Sequence, residues 1–81
     1  MIVRLKLFAV ARQLAERDVI ELELPEAATV GELRRRLVEV VPALAELAGH
    51  MLFAVDAQYA DDATPIPAAA DVACIPPVSG G

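Results

Sequence analysis

Hydrophobic and polar residues alternate twice in the first third of the chain. Val3, Leu5 and Leu7 are separated by Arg4 and Lys6, and Ile20, Leu22 and Leu24 by Glu21 and Glu23. A period of two sends one set of side chains to a buried face and the other to solvent, so each segment predicts a half-buried strand. Phe8 closes the first strand on the opposite parity, and Pro25 ends the second because it has no amide for a neighbour. Between them the period changes. Val10, Ala11 and Leu14 stand at helical spacing, with Arg12, Gln13 and Glu16 on the polar side, predicting a short helix over 9–16 closed by Arg17-Asp18. Two strands joined this way can pair antiparallel.

Thr29-Val30-Gly31-Glu32 reads as a capping box, which starts a longer helix. Val30, Leu33, Leu37 and either Val40 or Val41 form its apolar side, and Pro42 stops it. Arg34, Arg35 and Arg36 span too much of the circumference to make one patch and read as a solvated face. Ala43 to Ala48 adds a turn or two before Gly49. Leu52 to Val55 is an apolar strand, Asp56-Ala57-Gln58 a polar turn, and 59–64 a short strand or bulged edge. After a loop over 65–70, residues 71–75 make a short buried last strand that Pro76-Pro77 terminates. The fold class expected is α+β, a mixed β-sheet packed on one principal α-helix. The first and last strands can lie parallel at its centre, with the helical segment as the crossover.

Composition narrows the class. Eighty-one residues make one domain, and 57% hydrophobic against 23% charged residues mark a folded chain. The division expected is a domain over 1–77 and a flexible tail over 78–81. A net charge of −5 argues against nucleic acid or an anionic membrane as partner and favours a partner with a basic docking face. No signal-peptide pattern and no bilayer-spanning apolar run is visible, and a single cysteine permits no internal disulfide, so a cytoplasmic location is expected.

Candidate chemistry is sparse. His50 and Cys74 are too few for a zinc site, so no metal is expected. His50 follows Gly49 in a loop and reads as solvated. Cys74 lies mid-strand among Val72, Ala73 and Ile75, the setting of a buried small side chain rather than a nucleophile. The carboxylates show no pairing pattern, and the four glycines make no phosphate-cradling loop. There is no self-sufficient active site.

What remains is the ending, Ile75-Pro76-Pro77-Val78-Ser79-Gly80-Gly81. Two prolines stiffen the root, and Val78 to Gly81 can reach roughly 13 Å at ~3.3 Å per residue. Gly80 and Gly81 carry no Cβ and can thread a narrow channel. A free carboxylate is a poor acyl donor, so chemistry at Gly81 requires activation, for instance as a mixed anhydride with AMP. A sulfur nucleophile can then displace AMP and leave a thiocarboxylate.

With these residues the chain resembles the MoaD family, the ubiquitin-like sulfur carriers that form the small subunit of molybdopterin synthase. The resemblance runs through Leu5-Lys6-Leu7-Phe8-Ala9-Val10-Ala11-Arg12, Thr29-Val30-Gly31-Glu32-Leu33, Ala54-Val55-Asp56 and above all 71–81, where Pro-Pro-Val-Ser-Gly-Gly is the specific part. Ala69-Ala70-Asp71 stands where the family has a glycine-containing turn. The resemblance implies a β-grasp (ubiquitin-like) fold with no cofactor bound. It also implies an E1-like adenylyltransferase that uses ATP and Mg to activate the Gly81 carboxylate, giving a covalent 1-thioglycine. The sulfur would pass to cyclic pyranopterin monophosphate on the large catalytic subunit, in a heterotetramer, for molybdenum cofactor biosynthesis. Gly81 and Gly80 would be the reacting end. Phe8, Arg12, Tyr59, Ile75, Pro77, Val78 and Ser79 would contact the partner. Two alternatives stay open: a sulfur carrier for thiamine or another thiolation route, and a ubiquitin-like binding module with no sulfur chemistry.

Overall fold

The computed structural model describes residues 1–76. Five strands form one sheet: β1 (Ile2–Leu7), β2 (Val19–Glu23), β3 (Leu52–Val55), β4 (Gln58–Ala60) and β5 (Val72–Ile75), in the order β2-β1-β5-β3-β4. The helices are α1 (Ala9–Ala15), α2 (Val30–Val40) and α3 (Ala45–Ala48), with a 3₁₀ turn at Pro42–Leu44. β5 lies at the centre, parallel to β1, the arrangement the crossover through the helical segment allows, and antiparallel to β3. β1 pairs antiparallel with β2, with Leu5 opposite Ile20 and Val3 opposite Leu22. Beyond β2 the ladder continues through Leu24, whose amide donates to the Met1 carbonyl at 2.9 Å.

The alternating residues all turn to one face. Val3, Leu5 and Leu7 of β1, Ile20 and Leu22 of β2, Phe53 and Val55 of β3, and Val72 and Cys74 of β5 are buried against Val30, Leu33 and Leu37 of α2. Each fully buried aliphatic or aromatic side chain stabilises the fold by roughly 1.5–3 kcal/mol. The capping box forms as expected: the Glu32 amide donates to Thr29 Oγ1, and the Thr29 amide to Glu32 Oε1, both at 3.3 Å. The next two amides of α2, on Val30 and Gly31, donate to the carbonyls of Thr64 and Asp62 at 2.9 and 3.0 Å. All the first-turn donors that a helix leaves unpaired are thereby met. Gly31 makes this approach possible, since a Cβ there would lie 3.2 Å from both Asp62 Cβ and the Asp62 carbonyl oxygen.

Three expectations change. Val10 and Leu14 are 39% and 42% exposed, and in α1 only Ala11 is fully buried. This seven-residue helix lies against the 3₁₀ turn and β5 and offers the core a single line of contact. The alternative left open at the end of α2 resolves to Val41, half-buried just past the helix, while Val40, its last residue, is exposed. The β3–β4 turn is two residues, Asp56-Ala57, because Val55 pairs with Gln58. Both turn residues have positive φ, 49° and 68°, the backbone twist that suits a two-residue hairpin.

The third change concerns Arg34, which does not belong to a solvated face. Its side chain is 20% exposed. Nη1 donates to the carbonyls of Ala48 and Met51, and Nε and Nη2 donate to Asp62 Oδ1 at 3.2 and 2.7 Å. The guanidinium lies 4.9 Å from the centroid of the buried Phe53 ring. Arg35 is exposed and Arg36 pairs with Glu39 at 3.7 Å, so the three arginines form no patch, in line with their spacing.

Candidate functional site

The side of the sheet away from α2 is open. Residues of solvent parity line up across all five strands: Val19 opposite Lys6, Lys6 opposite Ala73, Ala73 opposite Ala54, and Ala54 opposite Tyr59. Beside this row Ile75 pairs with Leu52, and Phe8 continues the parity of Lys6 beyond the end of β1. Phe8, Leu52 and Tyr59 are 48%, 52% and 70% exposed, and Ile75 is half-buried. Ala54 and Ala73 are too small to fill the space between the larger groups. A depression of about 460 Å³ results, bordered by Phe8, Lys6, Asp56 and Asp71 and floored by the two alanines.

The structure therefore brings Phe8, Tyr59 and Ile75 onto one face. Arg12 stands at the Phe8 margin, where it lines a second depression with Phe8 and Lys6 and pairs with Asp18 at 3.6 Å. The expected site residues Pro77, Val78, Ser79, Gly80 and Gly81 lie outside the described residues. Pro76, the last described residue, is buried and follows Ile75 at the end of the central strand β5. Leu52 is an apolar member of the face that sequence reasoning missed. Its signal was a large apolar residue on the solvent parity of β3, set against Phe53 and Val55 on the buried parity.

Other reactive groups are placed for structure. Cys74 is fully buried, its Sγ 3.1 Å from Met51 Sδ. Burial pushes its thiol up to about 11, against a smaller opposing pull from the positive charge of Arg34. That is the reverse of what a nucleophilic thiolate requires. His50 is exposed, and among the described residues no three His, Cys, Asp or Glu side chains gather to hold a metal. No helix among them is long and apolar enough to cross a membrane. The described residues thus present an open, partly apolar sheet face, with the end of the central strand β5 beside it.

A sequence profile of the ThiS family matches residues 5–81. The chain belongs to the ThiS family. It is 36% identical over 81 residues to the molybdopterin synthase sulfur carrier subunit of Caenorhabditis briggsae, covering 98% of this chain and 96% of that protein. Among solved structures, SAMP1 from Haloferax volcanii superposes with a TM-score of 0.87 at 27% identity over the whole of both chains. Subunit 1 of a molybdopterin converting factor from Pyrococcus furiosus gives 0.85 at 29% identity, over 96% of this chain and 99% of that one. These likenesses establish the ubiquitin-like β-grasp fold and the kinship with MoaD-type sulfur carriers.

Proposed function

We propose that this ThiS-family protein is the sulfur carrier of molybdopterin synthesis. The observation that carries the reading is the pairing of a central strand leading to Gly80-Gly81 with an apolar open face, on a domain whose described residues offer no reacting group. The kinship with a protein named as a subunit of a synthase supports a larger catalytic partner. In this reading the Gly81 carboxylate attacks the α-phosphate of ATP on an E1-like enzyme, and pyrophosphate leaves. A sulfur nucleophile then attacks the acyl carbon and AMP leaves, giving the thiocarboxylate. The open face docks on the large subunit while the tail delivers its sulfur to cyclic pyranopterin monophosphate. Each chain carries one terminal sulfur and a dithiolene holds two, so two carriers must discharge for each product.

The rigid sheet acts as the handle for this chemistry and the tail as the reagent. Positioning by docking converts sulfur transfer into an effectively unimolecular step. Intact mass spectrometry tests the reading, with the chain incubated with its activating enzyme, ATP and a sulfur donor. A gain matching one oxygen replaced by sulfur is expected at the C-terminus, and discharge of that sulfur on adding the large subunit and pterin. Charging that never discharges to the pterin would assign the carrier to another thiolation route, thiamine synthesis included. The likeness to SAMP1, a small archaeal modifier protein, favours a second reading, attachment of the terminus to protein amines. Adducts with other proteins, in place of a thiocarboxylate, would select it.

A further inference from the structure

The basic side chains of this protein are six arginines and a single lysine, Lys6. The difference matters for a chain whose own terminus becomes an acylating agent. A guanidinium keeps its proton and takes no acyl group, whereas a lysine amine is acylated readily. The other amine, on Met1, is tied into the sheet. It donates to the Leu24 carbonyl at 2.6 Å, and the Leu24 amide donates back to the Met1 carbonyl at 2.9 Å. The Cys74 thiol is fully buried. His50 and Tyr59 are exposed, but an acyl-imidazole or a phenyl ester hydrolyses, so neither keeps an acyl group. Lys6 is exposed on β1 and lines three depressions together with Asp18, Asp56 and Asp71. Its charge is thus well provided for. What sets it apart is that no other amine among the described residues stands free.

We infer that Lys6 is the residue at which this chain accepts the activated C-terminus of a second copy, and that docking of the open face withdraws it from that reaction. Lys6 Nζ, once it has lost a proton to water, attacks the Gly81 acyl carbon of another chain's adenylate. A C–N bond forms and the C–O bond to the phosphate breaks. AMP leaves with the electron pair, and the nitrogen gives a second proton to water. The position of Lys6 accounts for the shielding. It pairs with Ala73 of β5 and stands two residues before Phe8, on the ground that the large subunit covers in the reading above. A free, activated carrier therefore joins to its own kind at one place, and a docked one offers no amine. The inference rests on the activation proposed for Gly81 and on the docking role proposed for the open face.

The test incubates the full-length chain with its activating enzyme, ATP and Mg but no sulfur donor. Intact mass and peptide mapping locate any product of twice the chain mass less one water, and pyrophosphate exchange in each reaction reports the adenylate. A single amide between Gly81 and Lys6 is expected, lost to background in Lys6→Arg and kept in His50→Gln. Acetylation by N-hydroxysuccinimidyl acetate should modify Lys6 readily in the free chain and slow sharply once the purified large subunit is added. A self-adduct at the Met1 amine, an undiminished adduct in Lys6→Arg, or exchange with no self-adduct would overturn the acceptor role. Acetylation of Lys6 unaffected by saturating large subunit would overturn the shielding. Absence of pyrophosphate exchange would instead refute the activation of Gly81, and the inference with it.

Discussion

Replacing Arg34 with alanine tests the reading of this side chain as a tie within the fold. The guanidinium joins three segments: α2, which carries it; the stretch from Ala48 to Met51 that leads into β3; and the Asp62 loop that covers the start of α2. A hydrogen bond from a charged group contributes about 1.5–3 kcal/mol, and two part-buried carbonyls lose such a donor at once. Water can reach part of the vacated space, since the side chain is 20% exposed, so the two together are set at about 2–3 kcal/mol. Loss of the stacking on Phe53 adds about 0.5–1 kcal/mol. The ion pair with Asp62 adds little, because Asp62 is 60% exposed and pairs of that kind are worth about 0–1 kcal/mol. The expected total is about 3 kcal/mol, or roughly 12–24 °C in melting temperature for a domain of this size. Urea denaturation followed by far-UV circular dichroism measures it. Asp62→Asn should cost less than about 1 kcal/mol, and salt near 1 M should leave the Arg34→Ala deficit nearly unchanged, since neutral carbonyls are not screened. A deficit under about 1 kcal/mol in Arg34→Ala, or an equal deficit in Asp62→Asn, would show that the carbonyl ties do not hold these segments.

Three other outcomes are expected. Ala57 has φ 68° in the β3–β4 turn, where a Cβ costs about 1–2 kcal/mol. Ala57→Gly should therefore stabilise by about 0.5–1 kcal/mol after the entropy of the freer unfolded chain is deducted, and a lower denaturation midpoint would contradict this. Burial raises the Cys74 thiol from its ordinary 9.0 to about 11, so the folded state holds its proton where the unfolded state has released it. The stability this contributes is complete below pH 9 and declines as pH rises towards about 11, by up to ~1.4 kcal/mol per unit. Cys74→Ala should show a shallower decline than wild type over that window, and superimposable pH profiles would refute the assignment. Removing Gly81 should abolish sulfur transfer while the thermal melt and affinity for the large subunit stay close to wild type; retained transfer would refute the role given to the tail.

Much of the fold was legible because the signals were local. Alternation in β1 and β2, the capping box at Thr29 and Glu32, and the stop at Pro42 each depend on a few adjacent residues, and each appears where its spacing predicts. The apolar runs that form β3 and β5 were equally readable as strands. The exposed sides of Val10 and Leu14 were not, because helical spacing states which residues share a face but not whether that face meets the core. Ile66 shows the same limit. It lies in a stretch that reads as plain loop, yet it is buried and its amide donates to the Ala28 carbonyl at 2.8 Å. Arg34 was misread for a related reason: its carbonyl acceptors lie 14 and 17 residues away, and its carboxylate 28.

The candidate site divides along the same line. The sequence by itself determined the reagent, a Gly-Gly end behind two prolines, together with the want of any rival chemistry, since both are matters of which residue types are present. It also put Phe8 on the parity opposite the buried side of the first strand. Only the tertiary structure decided that Phe8, Tyr59, Ile75 and Leu52 share one face. Strand order is the physical reason. Pairing β5 between β1 and β3 joins residues 17 to 23 and 67 positions apart, and no local pattern encodes which edges will meet.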